Sequence, residues 1–404
     1  MGRENKGRPF RYKGFHKSVR WAQSMQRVGI VGYNQVKLYS DADYGRYEMI
    51  YEAVRSALDH AGLKKKDITT VISATNDYYD GRTISNALTV EVGGGYLADE
   101  SKVEMDGAHA VLYGLMRILS GNHKLAVVWG GSMASCFPYH SARLYETDPT
   151  WERPVAYVND VTSAGFQMRA YMEKFKVSAE DIAHVTVKNR KNAAKNALTL
   201  AEAQNPNLSV QDVLNSEIYA DPVTELMVAQ PCDGVAALLL APEKQALKIT
   251  DNPVWITGVG YNQETYYLGD RDLSASKSME LAGKMAFNAA GVKDPKHEID
   301  VAEIFEGYAH EELIFTEALG FTERGQGASL NSVIGGDLPI NPSGGALGGN
   351  PPCATGLIRI IEAAKQIRGE AKGHQVKDVK KAIASGQIGM CAQNNILYVL
   401  EGGN

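Results

Sequence analysis

Two parts of the chain more than 200 residues apart run through the same series of elements. "RVGIVGYN" (27–34) returns as "VWITGVGYN" (254–262), and "YEMIYEAVRSALDHAGL" (47–63) returns as "SMELAGKMAFNAAGV" (278–292). "DITTVIS" (67–73) then returns as "EIDVAEIF" (298–305). Each copy reads as a β-branched strand, an amphipathic helix closing on Ala-Gly, and a second strand. The matched glycines stand 228 residues apart (Gly32 and Gly260) and 229 apart (Gly62 and Gly291), so the spacing is kept as well as the order. This is the signature of an internal duplication. Strands that alternate with helices pair in parallel through right-handed crossovers. The chain is therefore predicted to be two α/β halves.

Both halves continue alike. In the first, "GAHAVLYGLMRILSG" (107–121) reads as a mostly buried helix before the apolar strand "LAVVWGG" (125–131). In the second, the counterpart is "PPCATGLIRIIEAAKQIRG" (351–369), with paired prolines expected in the first turn, where a missing N–H costs nothing. "NILYVLEG" closes the chain as a strand. The stretch from about 132 to 232 lacks this rhythm and reads as an insertion, after which "DGVAALLLA" (233–241) returns to the core. The domain boundaries are thus a basic arm over 1–26, an N-terminal half over 27–250 with its insertion, and a C-terminal half over 251–404.

Charge and composition narrow the function. A net charge of -5 gives no footprint for nucleic acid or an anionic membrane. No apolar run reaches the roughly 18–20 residues of a membrane span, and the N-terminus has no signal-peptide core. Cys136, Cys232, Cys353 and Cys391 are widely spaced, with no C-x-x-C pair. Neither a metal centre nor a disulfide framework is expected, and reduced thiols point to the cytoplasm. Residues 3–27 hold eight Lys/Arg against the single acid Glu4, together with Phe10, Tyr12, Phe15 and Trp21. Such an arm reads as solvated, or as packed on a partner subunit.

The loop "PINPSGGALGGNPPCATG" (339–356) is the most chemical stretch. It has five glycines and four prolines in eighteen residues, directly before a helix. Together with the duplication, "EALGF" (317–321) and "PCDGVAALLL" (231–240), it resembles the thiolase superfamily, nearest in kind to the sterol-carrier-protein-type acyl-CoA thiolases. The resemblance covers residue 27 to the end. It implies an α/β fold of two stacked halves, a five-layer α-β-α-β-α sandwich, with the inserted region holding coenzyme A as substrate and no permanent cofactor. It also implies a homodimer core joined by a small zinc-ribbon/OB-fold subunit, and an active site where the buried helix N-termini of the two halves meet. Free N–H groups there suit a thioester oxygen that becomes an enolate or oxyanion. Gly344, Gly345, Gly348 and Gly349 are expected to bring backbone close to that substrate.

Four family positions can be compared, and at most of them the residues depart from the pattern. The nucleophile's C-x-x-G motif falls on "EMDG" (104–107), which puts Glu104 at the Cys; a shifted alignment puts Gly107 there. The G-H-P loop reads Gly349-Asn350-Pro351, and Asn350 can donate a hydrogen bond but cannot carry a proton at neutral pH. The N-E-A-F motif reads Phe305-Glu306-Gly307-Tyr308, with His310 nearby; Tyr308 is the candidate proton carrier, and Glu306 and His310 are candidate substrate contacts. The C-terminal acid/base Cys is matched by Cys391, although Gln393 replaces the Gly of C-x-G. Cys353 reads as a helix-start packing residue.

Three functions follow, in order. The first is retro-Claisen cleavage or synthesis of a bulky, aromatic β-ketoacyl-CoA such as benzoylsuccinyl-CoA, through Cys391. The second is thiolase-like aldol cleavage of a β-hydroxyacyl-CoA, with Tyr308 or Glu104 as base and Asn350 as enolate donor. The third is an acyl-CoA-binding scaffold without turnover.

Overall fold

The computed structural model describes residues 26–81, 83–154 and 159–403, so the basic aromatic arm lies outside the described residues. The first half runs β1 (Val28–Gln35), α1 (Arg46–His60), β2 (Thr70–Ala74), α2 (Asp77–Asp80), β3 (Asp99–Val103), α3 (Gly107–Leu119) and β4 (Ala126–Ser132). Between β4 and the next core strand lie α4 (Tyr139–Arg143), α5 (Asp160–Phe175), α6 (Ala179–Ala193), α7 (Val210–Leu214) and the small hairpin β5 (Ile218–Ala220) and β6 (Val223–Thr224). Strand β7 (Gly234–Pro242) then closes the half, followed by α8 (Glu243–Ile249). The second half repeats the plan: β8 (Val254–Gln263), α9 (Lys277–Ala290), α10 (Pro295–Glu298), β9 (Val301–Glu303), α11 (Ala309–Ala318), α12 (Thr355–Arg368), β10 (Lys381–Ile388) and β11 (Asn394–Glu401).

The strands form one nine-stranded mixed sheet in the order β3-β2-β4-β7-β1-β8-β11-β10-β9. Outward from the β1–β8 seam, each half has its first strand, then an antiparallel last strand, then two parallel strands. The seam itself is short and antiparallel, pairing Gly29 with Trp255 and Ile30 with Val254. In the second half the outermost strand is reduced to a parallel bridge between Ala302 and Ile340. The duplication read from the sequence is therefore a pseudo-twofold about the seam.

Strand alternation builds the layers, because successive side chains leave a strand on opposite faces. In β4, Ala126 and Val128 face the central core, while Val127 and Trp129 face α1. In β11, Ile396, Tyr398 and Leu400 face the central core, while Leu397 and Val399 face the outer core that holds α9 and α11. The central core contains α3 and α12, with inner-face residues of both halves around them. The two halves of the sheet enclose α3 and α12, giving five layers: α1, the first half of the sheet, α3 with α12, the second half of the sheet, and α9 with α11. It also explains why "GAHAVLYGLMRIL" is apolar nearly all round: a helix enclosed between the two halves of the sheet has little polar face to spare.

The start of α12 differs from expectation. Pro351 and Pro352 sit in the turn before the helix, which begins only at Thr355. Cys353, at φ 65, takes a left-handed conformation that no helix continues through, so the helical path opens after it.

Candidate active site

The two central helices start against each other. Asp106 precedes α3 in extended conformation and caps it, its Oδ1 accepting the Ala108 N–H at 2.9 Å. Its Oδ2 accepts the Gly356 N–H, in the first turn of α12, at 3.0 Å. The approach depends on missing side chains. A Cβ on Gly356 would lie 2.0 Å from Asp106 Oδ1, and one on Gly107 would lie 2.6 Å from Leu357 Cβ. The helix ends are thus not open donors waiting for a substrate oxygen. A buried carboxyl already accepts one N–H from each helix, and burial raises its pKa.

Above this junction lies a cavity with Asp106, Asn350, Cys353 and Thr355 at one end. The inserted region contributes Tyr139, His140, Arg143 and Asp160. The second half contributes Phe305, Tyr308, Glu311, Gln387, Met390 and Cys391. Asn350 is fixed from both sides: its N–H donates to the Gln230 carbonyl at 3.0 Å, and its Oδ1 accepts from the Thr355 hydroxyl at 2.6 Å. That leaves the side-chain NH2 as the group it can offer.

One wall carries a chain of protic groups. The Tyr308 hydroxyl donates to Asp160 Oδ2 at 3.3 Å, and His140 Nδ1 meets the same oxygen at 3.0 Å. Asp160 is the first residue of α5, whose N-cap is Asn159, so the carboxylate stands at a helix N-terminus. Burial works against its charge, but the His140 bond and the Arg143 guanidinium outweigh burial and hold the carboxyl below its ordinary range. Burial, with Asp160 alongside, pushes the Tyr308 phenol far up, so it keeps its proton. A carboxylate that orients an imidazole whose second nitrogen is free is the arrangement of a general base.

The thiols are differently placed. Cys391 lies in the β10–β11 connection at φ 49, with the Arg271 guanidinium holding the carbonyls of Met390 and Cys391 at 2.8 and 2.7 Å. Its thiol donates to the Ser163 carbonyl at 3.2 Å, and burial pushes its pKa up to about 12. Burial likewise raises Cys353. Neither is paired with an imidazole, so neither is set up as a thiolate.

The family model described as "Thiolase C-terminal domain-like" matches residues 260–401. An acetyl-CoA acetyltransferase of Methanothermobacter thermautotrophicus is 29% identical over 87% of this chain and 94% of its own length. A benzoylsuccinyl-CoA thiolase subunit of Thauera aromatica is 25% identical, over 88% of this chain and 93% of its own. Among solved structures, a chain of the Ltp2-ChsH2(DUF35) aldolase superposes with a TM-score of 0.79 at 23% identity, covering 93% of this chain and 97% of that one. The chain is a thiolase homologue. Its relatives are acyltransferases, thiolases and aldolases, which supports an enzyme of the thiolase family.

Of the residues singled out from the sequence, this thiolase homologue gathers Tyr308, Asn350 and Cys391 in the cavity, with Cys353 beside them. Glu104 is elsewhere. It is exposed, accepts the Asp77 N–H at 2.7 Å and faces Lys102, because α3 starts three residues later and Gly107 holds the helix-start position. Glu306 is fully buried away from the cavity, accepting from Asn189 at 3.0 Å, Asn341 at 2.9 Å and the Leu347 N–H at 3.1 Å. His310 packs behind Tyr308, its Nε2 against Gln167 Oε1 at 3.0 Å, and burial lowers its pKa to about 3. The loop glycines do serve close approach, but to the protein itself. A Cβ on Gly344 would meet Ala193, one on Gly345 would sit 2.1 Å from Glu306 Oε1, and one on Gly349 would meet Leu38. The loop folds tightly onto a buried polar network and only its end, from Asn350, reaches the cavity.

Asp106, His140, Asp160 and Glu311 were not legible as site residues. Asp106-Gly107 before an apolar helix is a readable N-cap. The insertion offers no periodic pattern from which His140 and Asp160 could be placed. In "YAHEEL" nothing distinguishes Glu311, which faces the cavity, from Glu312, which pairs with Lys188 at 2.7 Å.

Among the described residues, no group of three or more His, Cys, Asp or Glu is placed to hold a metal ion, and no helix is long and apolar enough to cross a membrane.

Proposed function

We propose that this thiolase homologue cleaves, or in reverse forms, the Cα–Cβ bond of a β-hydroxyacyl-CoA by aldol chemistry, ahead of the thiolytic reading that the sequence favoured. The observation that carries this is the packing at Gly107. In the shifted reading of the C-x-x-G motif the nucleophilic thiol falls on Gly107, where a Cβ would lie 2.6 Å from Leu357 Cβ and force its neighbours to shift. Retro-aldol cleavage needs no acyl-enzyme. His140, held by Asp160, takes the β-hydroxyl proton through its free nitrogen. The Cα–Cβ bond breaks, the β-carbon becomes a carbonyl, and the electron pair passes to the thioester as an enolate. The Asn350 NH2 donates to the enolate oxygen, and the Tyr308 hydroxyl, protonated throughout, holds the Asp160 carboxylate in place. Tyr79, Tyr139 and Phe305 give the cavity an aromatic wall suited to a bulky acyl group.

The protein is offered bulky β-hydroxyacyl-CoA esters without free CoA. Release of an aldehyde or ketone together with a shortened acyl-CoA is the expected result. Products that form only when CoA is added would sink the reading and restore the retro-Claisen one, which Cys391 in the cavity favours.

The working assembly in this proposal is a homodimer core with a small zinc-ribbon/OB-fold subunit, in the cytoplasm, with coenzyme A entering as part of the substrate beside the inserted region. The structurally similar aldolase is named for two components, Ltp2 and ChsH2(DUF35), which supports the second subunit. Light scattering of the protein co-expressed with its genomic neighbour tests it; full activity from a homo-oligomer alone would count against it.

A further inference from the structure

A retro-aldol reaction ends with a proton delivered to carbon, and the groups assigned so far leave that step without a donor. His140 receives a proton from oxygen, Asn350 exchanges none, and the Cys391 thiol is turned to the Ser163 carbonyl. Glu311 lines the same cavity while being only 2% exposed. Its Oε2 is fixed by the Gly307 N–H at 2.7 Å and the Gln387 side-chain NH2 at 2.7 Å. The Tyr308 backbone N–H also holds this carboxyl, so it is anchored while still lining the cavity. Gln387 is itself held by the Phe305 carbonyl at 3.0 Å, so the anchor is rigid.

From this geometry we infer that Glu311 is the acid that protonates the enolate carbon after Cα–Cβ cleavage and, in the reverse direction, the base that removes the α-proton. The inference rests on the enolate chemistry proposed above. In cleavage, the Glu311 O–H bond breaks, a C–H bond forms at Cα, and the carboxylate left behind regains a proton from solvent. In the reverse direction the carboxylate takes the α-proton and the electron pair stays on the thioester enolate. The surroundings suit both directions. Burial raises the Glu311 pKa, and the Gln387 and Gly307 bonds and the Arg143 charge hold that rise to about 7. Tyr308 on the same segment, Cys391 from the β10–β11 connection and Arg143 from α4 are the titratable or charged groups facing it.

The test is deuterium wash-in at Cα of acetyl-CoA, propionyl-CoA and phenylacetyl-CoA in D2O, followed by mass spectrometry on the full-length protein with its partner subunit. The wild type is expected to exchange with a rate that rises through a midpoint near pH 7. Glu311→Gln, nearly isosteric, is expected to lose exchange by about 100-fold or more. Gln387→Ala removes a bond that lowers the pKa, so its midpoint is expected to move to higher pH, a shift that a purely structural role does not produce. No exchange by the wild type, or equal exchange by wild type and E311Q, overturns the inference. Exchange precedes any choice between aldol and Claisen cleavage, so a thiolytic enzyme that needs Glu311 for exchange would refute the proposed reaction and leave this inference standing.

Discussion

Asp106 Oδ2 accepts the Gly356 backbone N–H at 3.0 Å, joining residues 250 positions apart at the start of the two central helices. This bond ties the two halves of the duplication at the floor of the cavity. Asp106→Ala leaves the Ala108 and Gly356 N–H groups buried without acceptors. The expected cost is about 3 kcal/mol of stability, read as a lower urea midpoint with an unchanged slope.

Gly107→Cys puts a thiol at the helix start and tests whether that alone makes a thiolase. Leu357 Cβ and the Cys353 carbonyl would lie 2.6 and 3.0 Å from the new Cβ. Overpacking is expected to lower stability by about 2 kcal/mol, with no CoA-dependent thiolysis in steady-state assays. A folded, thiolytically active variant would show that the position has more room than the packing allows.

Tyr308→Phe removes one hydroxyl, whose bond to Asp160 is long at 3.3 Å. Stability is expected to change by about 1 kcal/mol or less. Retro-aldol turnover should fall by about 100-fold, mostly in kcat, because the Asp160–His140 pair loses its second anchor. An unchanged kcat would remove Tyr308 from the chemistry.

Cys391→Ala is expected to keep the cleavage rate of the wild type, since the thiol is protonated and turned toward Ser163. Iodoacetamide should accordingly leave turnover intact after full labelling of the exposed Cys136. Loss of activity in C391A with its fold preserved would return Cys391 to the centre of the mechanism.

Glu306 gives a pH prediction. Burial, then the neighbouring Glu312, raises its pKa from 4.5 to about 8. The folded state therefore binds this proton more tightly than the unfolded state. Its contribution is complete below about pH 4.5 and is lost as the pH rises through about 8. The wild type should lose Tm between pH 5 and pH 9, and Glu306→Gln should flatten that slope. Parallel slopes in the two proteins would show that Glu306 is not the group responsible.

Much of the architecture was legible because periodicity and duplication are local properties. "VWITGVGYN" and "LAVVWGG" could be placed as strands from their β-branched runs, and the apolar "GAHAVLYGLMRIL" as a buried helix from its uniform hydrophobicity. The site was legible only where a motif sat at a known offset, as with Asn350 and Tyr308. The loop glycines were read as facing substrate, and they face Glu306, Ala193 and Leu38 instead. A glycine announces a close approach in the sequence without saying what approaches.

By itself, the sequence determined that two α/β halves repeat, that strands and helices alternate, and that the family's nucleophilic thiol and imidazole are missing from their usual motifs. Those follow from residue type and spacing along one chain. Only the tertiary structure decided that Asp106 closes both helix ends, that His140 and Asp160 from the insertion meet Tyr308 from the second half, and that Glu311 faces the cavity while Glu312 pairs with Lys188. Each of these depends on which distant segment packs against a side chain. Burial and opposing charge then set whether a carboxyl or thiol holds its proton, and neither is a property of the local sequence.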